Sequence, residues 1–274
     1  MSLRTDLAQE AILTPGKAAA RGFTTSCLVN EQAGVKITRT HIHDPAAASA
    51  IGKLPGRYVT MQFSQTLDNY SDSFKLRSKL LAGELSRLFG KHRRILVAGL
   101  GNVHITPDAL GTLCAEKVFA TRHIKRHAPR LYSQGLGEVT VIVPGVLGQT
   151  GIEACDIVKA VCRKVDADGV IAVDALACRD IQSLGSVIQL TDTGISPGSG
   201  VENARKELSP ATLGIPCVAL GVPTVTDCRR EGSVLMISPR TIDKLVENAA
   251  DYISMAINLA LHPGLSFEEI RSLV

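Results

Sequence analysis

The chain has 274 residues, no tryptophan, only 4% aromatic residues and no long apolar run. The scarcity of aromatic rings disfavours a stacking platform for single-stranded nucleic acid. Apolar runs such as 94–100 and 169–173 are as long as strands, far below the roughly twenty residues that a membrane-spanning helix needs. The first ten residues carry Arg4, Asp6 and Glu10 and no apolar signal core, so we expect a cytoplasmic protein.

The seven cysteines form no Cys-x-x-Cys pair, which argues against a zinc ribbon and against a disulfide framework. Cys155 and Cys162 lie seven residues apart in a predicted helix, a spacing that favours two side chains on the core side. The net charge of +4 is modest, and its one basic cluster, 91–94, is typical of a solvated edge before a strand. We therefore expect neither a membrane partner nor direct nucleic-acid binding.

Strand-like and helix-like patterns alternate from residue 57 onward. Strands are predicted at 57–63, 95–99, 139–143, 170–173, 187–190 and 217–220, and helices at 72–89, from 107, at 150–165 and at about 238–262. The strands are continuously apolar, as expected when helices cover both faces of a sheet. The sequence predicts a three-layer α/β sandwich with a largely parallel central sheet over 57–274, preceded by an irregular N-terminal arm over 1–56.

In such a sheet, ligands and catalytic groups collect at the carboxyl ends of the strands. Asp174 ends an apolar strand, where an unpaired carboxylate would be costly to bury, so we expect a partner for it. Asp108 follows another strand, although it could also be a simple helix-start residue after Thr106 and Pro107. The loops that we expect to line the site contribute Gly101, Asn102, Gly145, Asp192, Gly198 and Gly200.

Two carboxylates at neighbouring strand ends can work as an acid and a base. About 5 Å apart at an effective dielectric near 20, they repel by roughly 3 kcal/mol, so one stays ionised while the other keeps its proton. The ionised carboxylate can take a proton from water as it attacks a peptide carbonyl, and the acid can serve the carbonyl oxygen and then the leaving amine. Asp108 and Asp174 therefore predict an aspartic-type peptidase without the usual all-β fold.

Other motifs leave two alternatives open. Gly99-x-Gly101 lacks the third glycine of a dinucleotide fingerprint. A non-catalytic nucleotide-binding module is therefore disfavoured, but it stays one of the alternatives. Asp192-Thr-Gly194 matches the signature of the all-β aspartic proteases, but a single copy in an α/β chain indicates a turn. Histidines at 41, 43, 104 and 123 could act as ligands, so a metal-dependent peptidase is the second alternative. The sequence has no His-Glu-x-x-His motif, and we expect no metal and no cofactor.

A series of further motifs occurs in fixed order between about residues 4 and 262. They include Gly99-Leu-Gly-Asn102, Thr106-Pro-Asp-Ala-Leu-Gly111, Pro144-Gly-Val-Leu-Gly-Gln-Thr-Gly-Ile-Glu153, Ile171-Ala-Val-Asp-Ala-Leu-Ala177 and Asp192-Thr-Gly-Ile-Ser-Pro-Gly-Ser-Gly200. In this order, the motifs resemble those of the germination protease of spore-forming bacteria. The resemblance implies a fold related to the hydrogenase-maturation peptidases, and the two essential aspartates of the family fall on Asp108 and Asp174.

The resemblance also implies a biological role. It implies an endopeptidase of the developing spore core that degrades small acid-soluble spore proteins during germination, and a homo-oligomer, a tetramer in the family. It further implies a zymogen that removes its own N-terminal segment, about residues 1–6. The stretch 4–10 is similar to the acidic and apolar site that the family cuts in its substrates, so cleavage between Asp6 and Leu7 is our hypothesis.

Two departures from the family pattern qualify these expectations. The long insertion that usually precedes the C-terminal helix is missing, because 230–233 leads almost directly into 234–239. Oligomerisation and zymogen control are therefore open. Ser196 stands where the family usually has a histidine, so this chain could not use that residue for a metal or a proton relay in the same way.

Overall fold

A mixed sheet forms the centre of the computed structural model, which describes residues 5–13, 22–67, 73–91, 93–132, 135–196, 206–230 and 233–274. Its nine strands within those residues are β1 (Phe23–Asn30), β2 (Val35–Ile42), β3 (Gly56–Phe63), β4 (Arg94–Gly99), β5 (Glu138–Ile142), β6 (Gly169–Cys178), β7 (Val187–Thr191), β8 (Cys217–Arg230) and β9 (Ser233–Ile237). The strand order is β1-β2-β3-β7-β8-β6-β4-β5, and β9 extends the sheet by pairing with β8.

Helices cover both faces of the sheet. They are α1 (Ala8–Ile12), α2 (Pro45–Ile51), α3 (Phe74–Phe89), α4 (Leu110–Glu116), α5 (Ile124–His127), α6 (Pro129–Tyr132), α7 (Leu147–Thr150), α8 (Ala154–Val165), α9 (Pro210–Leu213), α10 (Ile242–Leu261) and α11 (Phe267–Leu273), with short 3-10 turns at Thr106–Asp108 and Ile181–Ser183. The main core lies between the sheet and α3, α4 and α10, and a second core lies under α8 and α9. The predicted α/β sandwich is confirmed.

Parallel pairing is confined to four strands. β5, β4, β6 and β8 run parallel to their neighbours, so their carboxyl ends lie at one edge of the sheet. β1, β2, β3 and β7 pair antiparallel, and β7 is also antiparallel to β8. Among the described strands, three pairings are therefore parallel and five, including that of β8 with β9, are antiparallel, and the strand direction reverses between β8 and β7.

The described part of residues 1–56 is not the irregular arm that the sequence predicts. β2 pairs along its whole length with β3, from Val35 opposite Phe63 to Ile42 opposite Gly56. Apolar residues at 35, 37 and 42 of β2 are buried, whereas β1 at the edge of the sheet exposes both faces. The chain thus enters the sheet well before residue 57, because β2 carries enough apolar side chains to cover the main core.

The cysteines of α8 pack as the helical spacing predicts. Cys155 and Cys162 are buried, and both belong to the second core together with Val158. Burial raises the pKa of the Cys162 thiol to about 11 and that of Cys217 to about 12, which keeps both thiols protonated at neutral pH. These residues therefore serve packing rather than nucleophilic chemistry.

Among the residues described, no helix is both long and apolar enough to cross a bilayer.

Candidate functional site

Asp174 lies inside β6, near the carboxyl edge of the parallel strands. It is 4% exposed, and its Oδ1 accepts a hydrogen bond from the backbone N–H of Ala175 at 2.9 Å. In the parallel register its partner on β8 is Gly221. An ideal Cβ at Gly221 would lie 2.6 Å from the Asp174 carbonyl oxygen, so this close approach requires glycine.

Asp108 closes the 3-10 turn at 106–108 that follows β4. Its N–H donates to the carbonyl of Ile105 at 2.7 Å, and its carbonyl accepts from the N–H of Asn102 at 3.1 Å. Gly101, with φ +100°, lies directly against this turn, since an ideal Cβ there would stand 1.9 Å from the Asp108 carbonyl oxygen. Only glycine tolerates both the left-handed φ and the close contact.

Backbone contacts bring the two aspartate segments to the same edge of the sheet. The N–H of Leu100 donates to the carbonyl of Val173 at 2.8 Å, so the chain leaving β4 starts beside the residue that precedes Asp174. The 106–108 turn then packs against β6 and β8. The structure thus places Asp108 and Asp174 in neighbouring segments, as the positions of the strand ends predict.

The loops after β4 and β5 are linked through Asn102. Its Oδ1 accepts from Gln149 Nε2 at 2.9 Å and from the N–H of His104 at 3.0 Å. Gln149 belongs to α7, which follows Gly145 in the loop after β5. Gly101, Asn102 and Gly145 are therefore grouped near Asp108 at the carboxyl edge.

Asp192 is not at this edge. It follows β7, and because β7 runs antiparallel to β8, its carboxyl end lies at the opposite edge of the sheet. There its carboxylate accepts from Arg57 N at 2.7 Å and from Arg57 Nε at 2.6 Å. The expectation that the loop with Asp192 leaves from the same edge as the other site loops is wrong, because β7 is antiparallel to β8.

The chain after Asp192 nevertheless returns along the face of the sheet that carries α8. Ile195 pairs with Leu208, and Thr193, Ile195 and Ser196 line a cavity of about 410 Å³. This cavity also contacts Gly221, the partner of Asp174 on β8. Gly198 and Gly200 lie outside the described residues.

The N-terminal segment, residues 5–12, forms another wall of this cavity. Asp6 bonds to β6 twice, because its N–H donates to the carbonyl of Ala177 at 2.9 Å and its Oδ2 accepts from the N–H of Ala177 at 2.7 Å. Glu10 accepts from the N–H groups of Arg179 at 2.7 Å and Asp180 at 3.1 Å. The segment is therefore held on the extension of the strand that carries Asp174.

Leu7 anchors this segment by burial. It is 1% exposed and packs with Leu176, Cys178 and Val187. Like the rest of the segment, the peptide bond between Asp6 and Leu7 lies against the end of β6, beyond Asp174 in the direction of the strand. The hypothesised cleavage point is thus docked on β6, with Leu7 buried and Asp6 partly exposed.

Two polar side chains hold the carbonyl of Asp6. Lys53 Nζ donates to it at 2.8 Å and Gln189 Nε2 at 2.9 Å. Burial lowers the pKa of Lys53 below its usual value, while the carboxylates of Asp6 and Glu10 oppose that change.

Within the described residues, no group of three or more His, Cys, Asp or Glu side chains is arranged to hold a metal ion.

The sequence patterns did not single out Lys53, Gln189 or Thr224, although all three serve the neighbourhood of the site. Thr224 Oγ1 donates to the carbonyl of Pro107 at 2.7 Å. One signal was available for it, because Pro223 interrupts an apolar strand, and proline inside a strand marks a bulge or an edge. Lys53 and Gln189 gave no such signal, since their partners lie far away in the sequence.

Comparisons with known proteins agree with the motif order. A family model described as germination protease matches residues 17–233. A germination protease of Caldanaerobacter subterraneus is 36% identical over 321 aligned positions, covering 100% of this chain and 98% of that protein. A germination protease of Clostridium tetani is 35% identical and covers 99% of each chain. One from Bacillus cereus is 40% identical over 90% of this chain and 68% of its own length.

Among solved structures, a NiFe hydrogenase maturation protease from Thermococcus kodakarensis shares 20% identity at a TM-score of 0.37. The match covers 64% of this chain and 98% of that one. A likeness at this level carries no functional inference.

Proposed function

Because this chain belongs to the germination protease family and is a peptidase, we propose that it is the endopeptidase that degrades small acid-soluble spore proteins in the spore core during germination. The observation that carries the proposal is the meeting of the Asp108 and Asp174 segments at one sheet edge. A cavity of about 410 Å³ is lined by Gly221, the strand partner of Asp174, and we propose that it receives part of the polypeptide substrate.

The proposed mechanism uses the two carboxylates as an acid and a base. The ionised aspartate takes a proton from a water molecule, whose oxygen attacks the peptide carbonyl carbon. The protonated aspartate gives its proton to the carbonyl oxygen, which forms a tetrahedral intermediate. The aspartate that took the proton from water then gives it to the leaving amine as the C–N bond breaks, and a hydroxyl proton of the intermediate returns to the other aspartate. Burial of Asp174 supports this division, since a low-dielectric site strengthens the influence of one carboxylate on the other.

The test compares Asp108→Asn and Asp174→Asn with the parent enzyme on a recombinant small acid-soluble spore protein. We expect kcat to fall by about 10²–10⁴-fold in each variant, the usual contribution of general acid–base catalysis. Asp166→Asn is the matched control, because this carboxylate is 86% exposed at the end of α8 and its left-handed φ suits asparagine. Full activity in both aspartate variants would end the two-carboxylate mechanism.

The same assay is run with and without a chelator, so that a metal-dependent peptidase is distinguished. If the chelator abolishes cleavage by the parent enzyme and added metal restores it, the carboxylates act as ligands rather than as an acid and a base.

Self-processing between Asp6 and Leu7 is a further part of the proposal. Since Lys53 and Gln189 hold the carbonyl of that bond, the N-terminal segment must leave its groove before the bond can be cut. Intact-mass measurement during incubation should show a product beginning at Leu7. A fully active enzyme that still begins at Met1 contradicts this step.

We also propose that the enzyme is a homo-oligomer. Val234, Leu235 and Met236 of β9 are 59%, 50% and 48% exposed, and since neighbouring strand residues point to opposite faces, β9 exposes apolar side chains on both of its faces. Sedimentation velocity should show an oligomer for the parent chain and a smaller species for Leu235→Asp. A monomeric parent chain would refute the assembly.

A further inference from the structure

An irregularity in the sheet lies close to the candidate catalytic pair. β6 and β8 pair in parallel, with Asp174 opposite Gly221 and Leu176 opposite Pro223. The register then shifts, because Ala177 lies opposite Val225, so Thr224 is an extra residue on β8. Such β-bulges often occur beside active sites, where they turn a side chain toward a new partner.

The partner of Thr224 is the turn that carries Asp108. Thr224 is fully buried, and its Oγ1 donates to the carbonyl of Pro107 at 2.7 Å. Pro107 directly precedes Asp108. The backbone hydrogen bonds of this turn run from Asn102 N–H to the carbonyl of Asp108, from Asp108 N–H to that of Ile105 and from Ala109 N–H to that of Thr106, so they stay within one segment of the chain. The bond from Thr224 instead ties the turn to the strand that is paired with the strand of Asp174.

We propose that Thr224 is a positioning residue that fixes the Asp108 turn relative to Asp174. The two aspartates lie on different segments, and only a rigid connection between these segments keeps the carboxylates at a constant separation. β8 supplies that connection, because it is registered against Asp174 through Gly221 and against the Asp108 turn through Thr224, three residues later. This inference rests on the proposed two-aspartate mechanism.

The expected effect follows from the role of geometry in catalysis. When a substitution far from the reacting atoms displaces a catalytic group by about 1 Å, the rate can fall by about 10²-fold. Valine keeps the shape of threonine and removes the hydroxyl, so Thr224→Val should lower kcat by about 10–100-fold and leave KM within about threefold. Loss of kcat without a change in KM is typical of an interaction that matters in the transition state.

The pH dependence of kcat/KM gives a second test, because the loss of a merely structural contact would leave it unchanged. Two nearby carboxylates separate each other's titrations, and this separation shrinks as the distance grows. In Thr224→Val, the acidic and basic limbs of the kcat/KM profile should therefore move toward each other. Thr224→Ser retains the hydroxyl and should restore both kcat and the parent profile within about threefold.

The matched control is Thr226→Val. Thr226 is on the same strand, two residues further on and 3% exposed, and its Oγ1 donates to the carbonyl of Arg179 at 3.3 Å rather than to the Asp108 turn. Its kcat and pH profile should equal those of the parent enzyme. If Thr224→Val does not fold, Thr224→Ala removes the same hydroxyl without the branched methyl group, and the same losses are expected of it.

Each outcome decides between the proposals. If the aspartate variants are inactive and Thr224→Val keeps the parent kcat and pH profile, the positioning role is wrong and the two-aspartate mechanism stands. An equal loss of kcat in Thr226→Val also overturns the positioning role, because the loss would then follow from disturbed strand packing. If Asp108→Asn and Asp174→Asn are fully active, the mechanism fails and the role of Thr224 fails with it.

Discussion

The docking of the N-terminal segment can be tested by shortening its apolar anchor. Leu7 is 1% exposed among Leu176, Cys178 and Val187, so Leu7→Ala removes a side chain that has no contact with water. Truncation of a buried leucine to alanine costs about 2–5 kcal/mol, and the lower end applies where the site can collapse. The cost falls on the docked state alone, because residue 7 is solvated once the segment leaves its groove.

This cost converts directly into an opening equilibrium. Since each 1.4 kcal/mol is a factor of about ten, a loss of about 2 kcal/mol increases the open population roughly 30-fold. The amides of Ala177 and Arg179 report this opening, because they donate to the carboxylates of Asp6 and Glu10 when the segment is docked. Their hydrogen-exchange rates, measured by NMR, should rise by at least about 30-fold in Leu7→Ala.

The chain offers a control with the same chemistry. Leu13, just after the N-terminal segment, is 68% exposed, so Leu13→Ala should change the exchange of both amides by no more than about twofold. Exchange at Ala177 that stays at the parent rate in Leu7→Ala would refute the docking of the segment on β6.

Three further substitutions test other parts of the structure. Gly221→Ala would place a Cβ 2.6 Å from the backbone of β6 and should lower stability by about 1–3 kcal/mol in urea unfolding, whereas Gly83→Ala, with nothing within 4 Å in its helix, should be neutral or slightly stabilising. Burial lowers the pKa of His262 below 6.5, so as the pH falls the unfolded chain binds the proton first, and stability decreases below about pH 6.5. His262→Gln should reduce this dependence of the melting temperature on pH between about pH 7 and 5, and an unchanged dependence would exclude the effect. Asp192→Asn should lower stability by about 1 kcal/mol and leave kcat within about threefold, because its partly exposed carboxylate bonds at the opposite edge; a loss as large as that of Asp174→Asn would contradict this placement.

The sequence predicts the parallel half of the sheet well for a physical reason. β4 and β6 are buried on both faces, so they appear as continuous apolar runs. Asp174 directly follows the apolar run at 169–173, although β6 itself continues to Cys178, and Asp108 lies in the turn after β4. β1 is different, because it exposes both faces at the sheet edge and therefore carries no apolar period. β1 forms because it pairs with β2, and the residues of β1 alone carry no sign of that pairing.

Strand direction is the second limit. The apolar pattern of a strand does not show its direction, so the sequence of β7 fits both parallel and antiparallel pairing with β8. The position of Asp192 depends on which of the two pairings forms. The bulge at Thr224 is a third case, since a one-residue shift between two strands is a property of the pair and not of either sequence. Motif order singled out Asp108 and Asp174 as candidates, but not Thr224, whose hydroxyl bonds to the turn that carries Asp108.

The pairing of β3 with β7 also has a consequence for biosynthesis. Tyr58 lies opposite Thr191, so the strands that meet here are made some 130 residues apart. At a synthesis rate of roughly 5–20 residues per second, the ribosome needs on the order of ten seconds to supply the partner strand. During that interval the nascent chain presents β3 as an unpaired edge, which is a natural point of engagement for chaperones and the stage at which translation speed would most affect the yield of folded protein.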